Sequence, residues 1–150
     1  MANLYVDGKI IGGLPRSHVL EHDGLKIGLF GLCEWEWIGL LCPSTVTEEL
    51  QYVDFVQTAK EMSLLLRERG CDYIIALTHM RLPNDRILAE KCQGEIDLIL
   101  GGHDHSSVFE KIGLVSIVKS GTDFEEFSDI KVDLQTREVN RKRVLITEAY

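Results

Sequence analysis

The stretch "CDYIIALTHMRLPNDRILAEKCQGEIDLILGGHDH", residues 71–105, decides the fold. It opens on a short apolar run, 71–79, too short for a helix and read as a strand buried on both faces. "PNDRILAEKC" (83–92) then supplies a helix, and "EIDLILGG" (95–102) a second buried strand. Strand, helix and strand with short connections form a parallel β-α-β unit, so the fold class is α/β.

The same stretch places three histidines. His79 follows the first strand, and His103 and His105 follow the second. Ligands of open parallel sheets gather beyond the carboxyl ends of the strands, so three imidazoles are expected to converge on one edge. Imidazoles that close together repel when protonated, and a divalent metal ion explains the grouping. Gly101 and Gly102 are expected to free the turn conformationally and let it approach a ligand.

Working outward, "SHVLEH" (17–22), the turn Asp23-Gly24 and "LKIGLFGLC" (25–33) read as a β-hairpin. His18 and His22 on it read as solvated positions. In "CEWEWIG" (33–39) Trp35 and Trp37 are expected to pack against the body. Thr47 to Arg69 has helical periodicity, with Gly70 at the C-terminal cap. "LVSIVKSG" (114–121) and residues 128–150, with a hairpin near Gln135 to Arg137, read as C-terminal antiparallel strands.

The chain has 150 residues, 45% hydrophobic and 27% charged, which suits a single globular domain over 1–150. No stretch reaches the roughly 20 apolar residues that span a bilayer, and no basic start with an apolar core marks the N-terminus. A cytoplasmic location is the expectation. Sixteen Lys and Arg against 24 Asp and Glu give a net charge of -8, which opposes nucleic acid polymers and acidic membrane surfaces as partners. Cys33, Cys42, Cys71 and Cys92 form no C-x-x-C pair and are read as free, buried thiols.

"IIALTHM", "DLILGGHDH" and "IVKSGTDFEEFSDI", in that order, resemble the carboxyl half of the catalytic domain of the calcineurin-like binuclear metallophosphoesterases, in particular the 5'-nucleotidase branch. "HDGLKIGLFGLCEWEW" is similar to the segment that precedes those motifs. The resemblance runs from about Ala2 to about Leu134. It implies a partial metallophosphoesterase sandwich, β-α-β units plus C-terminal antiparallel strands, and a metal-dependent hydrolase of phosphate esters such as nucleotides. His79 and His103 match ligands of one metal, and His105 matches a ligand of the other. Asp85 matches a polar position near the site. Asp104, between two ligands, is expected to orient an imidazole or face solvent.

The resemblance is incomplete. The family's Asp-x-His, Gly-Asp and Gly-Asn-His motifs do not occur in this sequence. Three neutral imidazoles offset none of the charge of two dications, so at most one ion (Mn, Zn or Fe) is expected to be held well here. A chain with half of the ligands is expected to be a fragment or truncated form with impaired activity. The alternatives are a non-catalytic interaction module that keeps the scaffold, and a mononuclear zinc hydrolase using His79, His103 and His105. An apolar sheet face left bare would favour a homodimer or a covering partner.

Overall fold

Two residues in the left-handed region, Asp23 (φ 50°) and Gly24 (φ 81°), make the tight turn that starts the main sheet. The computed structural model describes residues 1–41 and 49–146. The turn joins β3 (Ser17–His22) to β4 (Leu25–Cys33), antiparallel as expected. β4 then runs parallel to β6 (Tyr73–His79), β6 to β7 (Leu98–Gly101), and β7 to β9 (Val115–Ser120). β8 (Ser107–Ile112) closes the far edge antiparallel to β9, giving the order β3-β4-β6-β7-β9-β8.

The crossovers carry the helices. α2 (Phe55–Glu68) begins at Asp54, whose carboxylate accepts from the Val56 and Gln57 N–H groups that a helix start leaves unpaired. Thr47 therefore does not open it as the periodicity proposed, and lies outside the described residues. Between Asp54 and that point, β5 (Leu50–Tyr52) pairs with β1 (Leu4–Val6), which also pairs with β2 (Lys9–Ile10). α3 (Leu82–Lys91) links β6 to β7 within a residue or so of its predicted span. No described helix is long and apolar enough to cross a membrane.

α2 and α3 cover one face of the sheet. Ala59, Met62 and Leu66 pack with Leu88, Ala89, Ile74, Ala76, Ile99 and Ile117 in one buried cluster. Gly28 admits α2 closely, since a Cβ there would lie 2.9 Å from side-chain atoms of both Leu66 and Ile74. The opposite face is half covered. The hairpin of β10 (Glu126–Val132) and β11 (Val139–Leu145) buries Tyr73, Leu98 and Val118 under Val139, with Ile130 and Val132 beside them.

Beyond that hairpin no described element covers the face. Leu77, central in β6 and level with Gly31 of β4 and Leu100 of β7, is 44% exposed. The reading of residues 71–79 as buried on both faces fails there, because nothing described covers Leu77. Leu29, Leu77, Met1 and Arg16 line an open recess of about 180 Å³.

Other local departures have simple causes. "WEWIGLL" forms α1 (Trp35–Leu41), and Trp35 is 40% exposed, tilted against Tyr52 at 5.8 Å, rather than buried in the body. The Trp37 side chain and Cys42 lie outside the described residues. Cys33, Cys71 and Cys92 are free and buried, as expected.

At the end of the sheet opposite the histidines, Asp97 ties elements together. It accepts from Ile74 N–H (2.7 Å), Arg67 Nη2 (2.8 Å) and Arg137 Nη1 (2.9 Å). Asp97→Ala is therefore expected to lower the unfolding free energy by about 2–4 kcal/mol, since it strands a strand amide and two guanidinium groups. Urea unfolding with an unchanged m-value measures it; a loss near zero would remove Asp97 from the account of stability.

Candidate metal centre

The parallel strands end side by side. β4 ends at Cys33, followed by Glu34; β6 ends at His79; β7 ends at Gly101, followed by the loop 102–106; β9 ends at Ser120. Glu34 is buried and accepts from Arg81 N–H (3.1 Å), Arg81 Nε (2.7 Å) and Asn84 Nδ2 (2.5 Å). It thus caps the start of α3 from outside, where that helix has no side-chain cap of its own.

His79 and His103 come together. Their rings meet edge to face with centroids 5.4 Å apart and planes at 76°. Burial, then the neighbouring His103 and Lys119, hold the His79 imidazole below its usual proton affinity. His105 is exposed on the same loop, near enough to add to that effect. Gly102 N–H donates to Thr78 O (2.8 Å), fixing the loop to the strand that carries His79.

The glycines work differently from the expectation. Neither Gly101 nor Gly102 has positive φ; His103 (φ 78°) and His105 (φ 52°) take the left-handed positions. The glycines supply space instead. A Cβ on Gly102 would lie 3.2 Å from His79 Nδ1, and one on Gly101 3.0 Å from both Asp85 Oδ2 and Lys119 Cε.

Beneath the imidazoles is a group the sequence reading did not single out. Lys119 of β9 is buried, and its Nζ donates to Met80 O and Gly102 O, both at 2.7 Å. It also pairs with Asp85 Oδ2 and Asp104 Oδ2, both at 2.6 Å. Asp85 in turn accepts from Thr78 Oγ1 (2.7 Å). Burial raises the Asp85 pKa, against the lowering pull of Lys119 and Thr78. Asp104 thus meets an ammonium with one oxygen, while its side chain stays partly in solvent. Only the apolar context of "IVKSG" offered a hint, and a lysine in an edge-adjacent strand is ordinarily solvated.

Among the described residues no three His, Cys, Asp or Glu side chains are grouped to hold a metal. The imidazoles of His79 and His103 lie side by side with His105 on the same loop, while Glu34 pairs with Arg81, and Asp85 and Asp104 with Lys119. Such a set suits part of the coordination of one borderline divalent ion.

No protein-family model matches the chain. An apyrase of Tabanus yao is 38% identical over 96 residues, 63% of this chain and 17% of the relative. A 5'-nucleotidase of Diplobatis ommata is 32% identical over 100 residues, 67% of this chain and 17% of the relative. The chain is similar to the 5'-nucleotidase branch of the calcineurin-like phosphoesterases. The fold agrees: the calcineurin-like phosphoesterase YfkN of Bacillus subtilis superposes with a TM-score of 0.75 at 19% identity, over 98% of this chain and 55% of that one.

The chain spans about a sixth of the length of those two curated relatives. The relatives also overturn the cytoplasmic expectation. A cell wall protein of Listeria monocytogenes is 27% identical over 143 residues, 82% of this chain and 18% of the relative. The first ten residues of a chain that spans so little of its relatives carry no information on compartment.

The depressed His79 pKa gives a pH dependence whose sign is fixed. Below the ordinary value of 6.5 the unfolded chain binds a proton that the folded imidazole resists, so stability falls as pH drops through that window. His79→Gln is expected to flatten this part of the profile in urea unfolding across a buffer series. An unchanged slope would place the pH dependence elsewhere.

Proposed function

We propose that the chain contributes the histidine side of a metal-dependent phosphoesterase centre that hydrolyses phosphate esters of nucleotide type. The supporting observation is the His79 and His103 pair at adjacent strand ends, in a chain related to an apyrase and a 5'-nucleotidase. His79 and His103 would hold one divalent ion, zinc, manganese or iron, and His105 would face a second. Such an ion, when bound, polarises a phosphoryl oxygen and lowers the pKa of a bound water.

What this chain does itself is to prepare the donors. The lowered proton affinity of His79 favours a metal ion over a proton where the two compete for the ring. The fold holds both rings at one edge. The nearby described carboxylates are engaged by Lys119 and Arg81, so a bridging carboxylate would come from elsewhere in the protein. Residues 1–150 then act as the carboxyl part of a catalytic domain, and the bare face around Leu29 and Leu77 packs against the remainder.

Elemental analysis and calorimetric titration with zinc or manganese test the reading. About one ion per chain is expected, with His103→Ala weakening it roughly tenfold or more, ~1.4 kcal/mol. Phosphate release from a nucleoside monophosphate by the chain alone is expected to equal the metal-only blank. Metal binding indifferent to His103→Ala would overturn the assignment. Turnover by the chain alone that His103→Ala abolishes would favour a mononuclear hydrolase.

The bare face makes a separate claim. The isolated chain is expected to self-associate in sedimentation velocity, and Leu77→Lys to keep it monomeric, because a charge there cannot be desolvated cheaply. A wild-type chain that stays monomeric would show that the face is tolerated in water.

A further inference from the structure

Lys119 lies two strands away from β6 and opposite a loop that it does not belong to, yet its ammonium is bonded on both sides of the histidine pair. Met80, whose carbonyl it contacts, directly follows His79. Gly102, whose carbonyl it also contacts, directly precedes His103, and Asp104 directly follows it. Asp85 adds α3 to the same junction, and its other oxygen reaches Thr78, the residue before His79. One cation therefore touches the end of β6, the loop after β7 and the helix between them.

The loop needs such a junction. His103 and His105 occupy left-handed backbone conformations that side chains with a Cβ take only under constraint. Gly102 N–H on Thr78 O holds the loop from one side, and the ammonium on Gly102 O and Asp104 holds it from the other. Gly101 is small where the lysine stem passes. The four oxygens around Nζ, two carboxylate and two carbonyl, are the kind of set that a hard metal ion takes when no ammonium is present.

The geometry points to Lys119 as a positioning residue: an internal cation that sets the spacing of His79 and His103 and occupies the oxygen cage, so that imidazoles rather than carboxylates face an incoming ion. This deepens the metallophosphoesterase reading and rests on it for the ion, though not for the spacing. A buried ion pair of purely structural value would support the fold without governing the two rings.

The test uses the full chain with Lys119→Ala, which deletes the atoms from Cγ to Nζ and leaves a space the shape of n-propylammonium. Two quantities are read: the imidazole NMR signals of His79 and His103 without metal, and zinc affinity by calorimetry. In Lys119→Ala both sets of signals are expected to shift, and zinc affinity to fall about 10–100-fold, as for loss of a group that orients metal ligands. Propylammonium chloride restores both, whereas propanol or sodium chloride at equal concentration does not. Signals and affinity unchanged by the substitution, or restored equally by sodium chloride, would overturn the proposal.

If Lys119→Ala does not fold with or without propylammonium, Asp104→Asn decides, since it leaves Asp85 and both carbonyls on the ammonium. It is expected to move the His103 signals and leave those of His18 and His22 in place; unmoved His103 signals would sink the proposal. A wild-type chain that binds no zinc, with ring signals that still respond as expected, would refute the metal reading and leave the positioning role standing.

Discussion

A charged ammonium inside a protein costs several kcal/mol unless oxygen atoms replace its water, and here they come from three separate elements. Around Lys119 the carbonyls of Met80 and Gly102 and the carboxylates of Asp85 and Asp104 can be satisfied together only if β6, β9, α3 and the loop after β7 sit in one arrangement. The order of the sheet brings those ends near one another, and the ammonium makes their relative placement specific. The imidazoles rest on that junction. At the other end of the sheet Asp97 plays the matching role with the charges reversed, a carboxylate gathering a strand amide and two guanidinium groups.

Much of this was legible in the sequence because the signals are local. The hairpin at Asp23-Gly24 is announced by a dipeptide that suits left-handed φ, and the β-α-β unit by apolar runs of strand length around a helical repeat. The C-terminal hairpin also falls where expected, with Gln135 to Arg137 in its turn and Arg137 at φ 60°. The histidines at the strand ends follow from the same reasoning, since topology alone sends them to one edge.

What was not legible depends on partners far away in the chain. β1 and β5 are three residues long and pair with each other across 44 to 48 positions, while the two-residue β2 joins them only through β1. "CEWEWIG" alternates like a strand, yet most of it is helical. β8 shows a strand's alternation in "SVFEKI", a stretch to which the sequence reading assigns no element. Lys119 looks like any strand lysine until Asp85 and Asp104, 34 and 15 positions earlier, close over it.

The exchange of roles between glycine and histidine in "GGHDH" has a consequence for how this loop can vary. Glycine at 103 or 105 would relax the backbone but delete an imidazole, while any side chain at 102 would press on His79. Strain and donor atoms are thus carried by the same residues, and improving one worsens the other. If the histidines are metal donors as proposed, a selection for thermal robustness alone would erode them at this loop.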